Sequence, residues 1–217
     1  MSIVTVDFDG TLYQHNSVMS MFKAGKAVFS FKQRFFVLLN FLKGSVIRTR
    51  ENRVDLRVVL LASFFYQMKG KSIDEMNTFF ESMAMAGRQS INFDLVSRLI
   101  KHLENGDRVI ILSGALQPFL EVFIRQLDIR ADVIGTSLFY DENGIFTGII
   151  GKTNHGVDKV NKLKLWIQDN DASGELIWAY ADSESDIPLL EYADKAVVVQ
   201  PSNAMKNIAE SKGWEVF

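Results

Sequence analysis

Short apolar runs rich in β-branched residues recur along this chain with helical stretches between them, and several stop at a carboxylate or a serine. Ile3-Val4-Thr5-Val6 runs straight into Asp7-Phe8-Asp9-Gly10-Thr11-Leu12. Arg108-Val109-Ile110-Ile111-Leu112 ends in Ser113-Gly114, and Leu176-Ile177-Trp178-Ala179-Tyr180-Ala181 ends in Asp182-Ser183-Glu184-Ser185-Asp186. Asp132 to Leu138 and Ala196-Val197-Val198-Val199 read as two further strands. Apolar strands alternating with helices predict an α/β fold, a parallel sheet covered on both faces. The carboxyl ends of such a sheet lie along one edge, so residues about a hundred positions apart converge there.

The exception to the alternation is a long one. From Gln14 to about Phe93 the pattern is helical throughout. A first helix begins at Ser17 and is interrupted at Gly25; a second covers Phe29 to Leu42 and is ended by Gly44. A third spans about Arg50 to Met68, and a fourth starts at Ser72, where Ser72-Ile73-Asp74-Glu75 forms a capping sequence. The expected organisation is therefore a core of residues 1–14 plus 94–217, interrupted by an all-helical unit of residues 15–93. Within the core, Asp141-Glu142-Asn143-Gly144 is a hairpin turn into Ile145-Phe146-Thr147-Gly148.

Composition narrows the classes. The 217 residues are 47% hydrophobic with three prolines, enough to bury a sizeable core, and the absence of cysteine excludes disulfides and thiolate metal sites. The N-terminus lacks a basic region followed by an apolar stretch, so a reducing cytoplasm is the expected location. The longest uncharged apolar run, Phe35 to Leu42, is far short of the ~20 residues that cross a bilayer. A net charge of −2 gives no case for nucleic acid. It conceals an asymmetry, because residues 23–57 hold nine Lys or Arg against Glu51 and Asp55. Six of the 17 Phe residues (Phe22, Phe29, Phe31, Phe35, Phe36, Phe41) lie in or beside that basic segment.

In extended backbone Asp7 and Asp9 project to the same side while Phe8 points elsewhere. Two acids there are costly unless a cation, a hydrogen bond or chemistry uses them. Acids gathered without histidine or cysteine suit a hard divalent cation, Mg²⁺ above all. Lys159, on the helix before the strand that ends at Asp182, and the Ser113 hydroxyl complete a cradle for a tetrahedral anion. Phosphoryl transfer needs positioning and charge neutralisation, and a carboxylate can serve as its nucleophile.

Asp7-Phe8-Asp9-Gly10-Thr11-Leu12, Ile111-Leu112-Ser113-Gly114, Lys159 and Asp182-Ser183-Glu184-Ser185-Asp186 resemble, in order, the four motifs of the haloacid dehalogenase superfamily. The helical insert, and the tail Ala196 to Pro201 with Gly213-Trp214, look like its phosphoserine-phosphatase-like branch. The resemblance implies a Rossmann-like core with an inserted helical cap, and a Mg²⁺-dependent phosphatase acting on a small phosphate monoester. It implies Asp7 as nucleophile and Asp9 as general acid and base, with phosphate held by Ser113, Gly114 and Lys159. Mg²⁺ would then be bound by the Asp7 carboxylate, the Asp9 backbone carbonyl and Asp182, supported by Asp186. The second aspartate favours phosphate-ester hydrolysis over dehalogenation, since halide release needs no proton. Ala181 stands where the family more often has glycine.

Substrate choice is less legible. Asn16 occupies the position where phosphoserine phosphatases carry a glutamate for the substrate ammonium, and an amide cannot supply that charge; it reads equally as a helix cap. The basic, Phe-rich segment suggests contact with anionic lipid or an amphiphilic phosphate, against the plainer reading that the Phe side chains pack the insert's own core. Arg48, Arg50 or Arg53 could reach the substrate, and His15 and His155 either approach the site or pack elsewhere. Transfer of the phosphate to an alcohol, or a purely binding role, are the other readings of the same motifs.

Overall fold

The structure is a computed structural model that describes residues 1–48 and 56–217; the side chains of Ala27, Phe41 and residues 43–48 and 56–58 lie outside that description. Six parallel strands form the central sheet in the order β3-β2-β1-β6-β7-β8. They are β1 (Ser2–Val6), β2 (Arg108–Leu116), β3 (Asp132–Thr136), β6 (Leu176–Ala181), β7 (Lys195–Val198) and β8 (Glu215–Val216). The chain therefore turns back on itself beside β1, which pairs with β2 on one side and β6 on the other. That reversal is where open α/β sheets receive ligands.

Alternation along the strands sorts their side chains onto two apolar layers. Val4, Val6, Val109, Ile111 and Tyr180 face one way, while Ile3, Ile110, Leu112, Ala179 and Ala181 face the other. The first layer is covered by α5 (Phe93–Glu104) and α6 (Gln117–Gln126), the second by α7 (Val157–Asp169), α8 (Ile187–Tyr192) and α9 (Asn203–Lys212). Burial on both faces is why these strands carry so few polar residues.

The insert holds α1 (Ser17–Val28), α2 (Phe31–Arg48), α3 (Leu56–Tyr66) and α4 (Ile73–Gly87). Its entry and exit are bonded to each other. The Gln14 amide donates to Ser90 O, the Asn92 amide donates to Leu12 O, and Asn92 Nδ2 reaches Thr11 O. The α4 capping box forms as the sequence predicts, with reciprocal bonds between Ser72 and Glu75. Two glycines behave differently from expectation. Gly25 lies inside α1, where a Cβ would stand 2.5 Å from Phe64 Cε2, so it is a packing residue and not a breaker. Gly44 lies inside α2, which continues to Arg48; a lone glycine is tolerated in a helix at a cost of about 1 kcal/mol. The expected start of the third helix near Arg50, and Arg50 and Arg53 themselves, fall outside the described residues.

The run expected as one strand from Asp132 to Leu138 is divided. β3 ends at Thr136, and β4 (Leu138–Tyr140) pairs antiparallel with β5 (Phe146–Ile150) in a separate two-stranded sheet. That hairpin reaches the insert: Gly70 N donates to Phe146 O, Phe146 N to Lys71 O, and Ile73 N to Gly144 O. The apolar layer is likewise continuous, running from Phe8 and Phe119 through Phe80 to Phe65 and Phe64.

The Phe residues of the basic segment do not share one fate. Phe29 is buried and Phe22 half-buried against Phe64, whereas Phe31, Phe35 and Phe36 are exposed on α2. The plainer reading holds for the first two; Phe36, though exposed, stacks on Tyr66 of α3, and the reading fails for Phe31 and Phe35, which lie on a second apolar face of α2.

Candidate active site

The carboxyl ends of β1, β2 and β6 open onto one pocket of about 350 Å³, lined by Asp7, Asp9, Ser113, Gly114, Lys159, Asp182 and Asp186 among others. All seven residues singled out from the sequence meet there.

At its floor the Lys159 Nζ lies 2.7 Å from Asp7 Oδ1 and 2.6 Å from Asp186 Oδ1, with all three side chains buried. Burial alone would discharge the ammonium, but Asp7 and Asp186 outweigh it and hold the Lys159 pKa above its ordinary value. Asp182 and Asp186 are both shifted upward, first by burial and then by the charge of Asp7. One lysine thus leaves three crowded carboxylates short of positive charge. Oxygens of Asp7, Asp182 and Asp186 come within 4.8 Å of one another. An all-oxygen, net-negative donor set of this kind fits Mg²⁺. The Asp9 carboxylate is not in this group.

Asp9 is turned to α1 instead. Its Oδ1 accepts from the Ser17 amide at 2.7 Å and its Oδ2 from the Ser17 hydroxyl at 2.8 Å. Burial raises its pKa to about 7, the Ser17 bonds oppose that, and the charge of Asp7 adds to it. Such a carboxyl can hold or release a proton near neutrality. Phe8, as the alternation predicts, goes into the core against Phe119 and Phe123.

Gly10 has φ +84°, and a Cβ there would stand 2.2 Å from Asp182 Oδ2. The turn after β1 therefore needs glycine twice over, for its left-handed backbone and for the approach of Asp182. Asp182 is further held by the Thr11 hydroxyl at 3.1 Å. The Ser113-Gly114 segment is pinned from behind: Asn154 Nδ2 donates to Ser113 O and Gly135 O, and Thr136 Oγ1 to Gly114 O.

Three residues around the site carry no role in the sequence reading, and of them only Ser17 lines the pocket itself. Ser17, Thr11 and Asn154 act on the motif residues through hydrogen bonds, and only their proximity in space reveals it. His155 lies at the pocket, its ring against Gly114, and His15 lines the mouth, so both approach the site. Asn16 caps α1 through Val18 N, the plainer of its two readings, and also lines the pocket. His102 lies elsewhere, buried between Asp107 and Tyr180. Besides His15, Asn16 and Ser17, the insert lines the pocket with Val18, Met21, Leu61 and Met83, which with Leu116 and Phe119 of the core make part of the lining apolar.

Residues 4–191 match the family model of the haloacid dehalogenase-like hydrolases. The chain belongs to that family. The resemblance read from the four motifs and the Rossmann-like parallel sheet agree with it. Over 116 residues, 53% of this chain, it is 27% identical to phosphoserine phosphatase SerB1 of Mycobacterium tuberculosis, and it spans 37% of that protein. It is 29% identical over 123 residues to a histidinol-phosphatase of Neisseria meningitidis serogroup C, with 54% of each chain covered. The chain thus spans about half or less of these relatives' lengths. Among solved structures, a Bordetella pertussis Tohama I protein of unknown function superimposes with a TM-score of 0.76 over 100% of this chain and 97% of its own, at 21% identity. That likeness is one of fold.

Proposed function

We propose that this hydrolase is a Mg²⁺-dependent phosphatase of small phosphate monoesters, working through an aspartyl-phosphate on Asp7. The observation that carries the reading is the buried Asp7–Lys159–Asp186 bridge with Asp182 beside it. It leaves a surplus of negative charge at a place where a phosphate must also bind.

In this reading one carboxylate oxygen of Asp7 attacks phosphorus while the other stays with Lys159. Asp9 donates its proton to the departing alkoxide, which the shift of its pKa to about 7 suits. Asp9 then takes a proton from the water that attacks the acyl phosphate, freeing Asp7 and inorganic phosphate. Ser113, the Gly114 amide and Lys159 hold the phosphate oxygens and offset the charge that develops on them. Asp7, Asp182 and the Asp9 carbonyl, supported by Asp186, would hold Mg²⁺, which supplies charge neutralisation to the transferring group. Residues 15–93 act as a cap over the core formed by 1–14 and 94–217.

The apolar wall of Val18, Met21, Leu61, Met83, Leu116 and Phe119 favours a second, narrower reading, that the leaving alcohol carries an apolar portion. Phosphate release should then rise with chain length across a series of soluble alkyl phosphates.

The central test is phosphate release from a generic aryl phosphate. Asp7→Asn is expected to abolish it, and chelation of Mg²⁺ to stop the wild type. Turnover near wild type in that variant would sink the mechanism.

A further inference from the structure

We propose that the outer face of α2 seats this protein on an anionic lipid bilayer. On a helical projection Phe31, Phe35, Leu38 and Leu42 fall on one narrow stripe, about 17 Å long at 1.5 Å per residue. They are 82%, 57%, 53% and 52% exposed, while Val37 on the other side of the helix is buried. Helices that pack on a core turn their apolar stripe inward; α2 also turns one outward.

Charge identifies the partner. Lys32 and Arg34 flank the stripe, Lys23 and Lys26 project from α1 nearby in sequence, and all four are exposed. No Asp or Glu occurs from Gly10 to Arg50. Aromatic and leucine side chains between cations match the boundary of headgroups and acyl chains, with the cations among anionic headgroups. An apolar groove of about 220 Å³ between α1, α2 and α3 shares Leu38 with the stripe and has Lys26 and Arg34 in its wall, so the apolar surface continues inward beneath the same cations. A second copy of the chain fits less well, since a two-fold contact through this face would bring its own cations together. Among the described residues no helix is long and apolar enough to cross a membrane, so the contact is one of lying on the surface.

Co-sedimentation of the full chain with vesicles tests this, using equimolar phosphatidylglycerol and phosphatidylcholine against phosphatidylcholine alone. The readout is binding, so the proposal stands or falls separately from the catalytic one. The wild type is expected to bind the anionic vesicles, to release as salt rises, and to leave the neutral ones unbound. Phe31→Ser with Phe35→Ser should weaken binding by about tenfold or more, and Lys23→Glu with Lys32→Glu should do likewise. Phe93→Ser, an exposed phenylalanine on α5, should change nothing. These positions are on the surface, and unchanged thermal unfolding will confirm that the variants fold. Absence of wild-type binding, or wild-type binding by the double Phe variant, overturns the proposal. So does a dimer in light scattering that the double Phe variant dissolves while vesicles go unbound.

Discussion

Asp9 sits between two opposed influences. Burial, helped by the charge of Asp7, pushes its carboxyl up to about 7, while two bonds from Ser17 pull it down. A raised pKa means that the folded state favours the protonated acid. Its contribution to stability is complete below the unfolded value of 3.8 and is lost as pH rises through about 7. The same titration should shape turnover. For alkyl phosphates, whose alkoxide needs a proton, kcat/KM should fall above about pH 7; aryl phosphates, with a better leaving group, should show a shallower limb. Ser17→Ala removes a donor that stabilises the carboxylate, so the limb should move to higher pH. A pH–rate profile on one alkyl substrate checks the direction. Ser17 is not legible as a site residue, because a lone hydroxyl carries no periodic or motif signal, and Thr11, though inside the first motif, shows no partner until Asp182 is brought beside it. Asp7, Asp9 and Asp182 were legible, because charge at the end of an apolar run is conspicuous.

Elements were read well where a local signal decides them. The Ser72–Glu75 box starts α4 because both partners are three residues apart and need nothing from the rest of the chain. Gly25 and Gly44 lie inside helices that the sequence pattern ends or interrupts there, for the complementary reason. Glycine has the same intrinsic penalty in every helix, and whether a helix passes through it depends on what packs alongside. At Gly25 that neighbour is Phe64, itself pinned by Phe22, Phe29, Phe65 and Phe79. Gly25→Ala should therefore destabilise by about 1–3 kcal/mol through overpacking, despite alanine's better helix propensity. Thermal or urea unfolding checks the sign; a more stable variant would mean that the Phe64 ring yields easily.

At the scale of the whole molecule, the hairpin β4–β5 joins the core's chain to the insert. Phe146, its innermost side chain, is bonded through its backbone to Gly70 and Lys71 and packs on Phe65. Phe146→Ala should cost about 3–5 kcal/mol, since the cavity opens where several elements meet and cannot collapse. Denaturant unfolding followed by both fluorescence and circular dichroism will show whether insert and core still unfold together.

The sequence alone determined the alternation of strands and helices, the parallel sheet and the acids that mark its carboxyl edge. These follow from periods of two and 3.6 residues and from the cost of leaving charge beside an apolar strand. Tertiary structure alone decided that Ser17 grips Asp9, that Asn154 pins the Ser113 segment, and that β4–β5 leaves the main sheet for the insert. It also decided which phenylalanines of the basic segment are buried and which face outward. Except for Ser17 and Asp9, eight residues apart but joined only by the turn between β1 and α1, those outcomes depend on partners far apart in the chain, and a helical period tells that a residue lies on a face without telling what covers it.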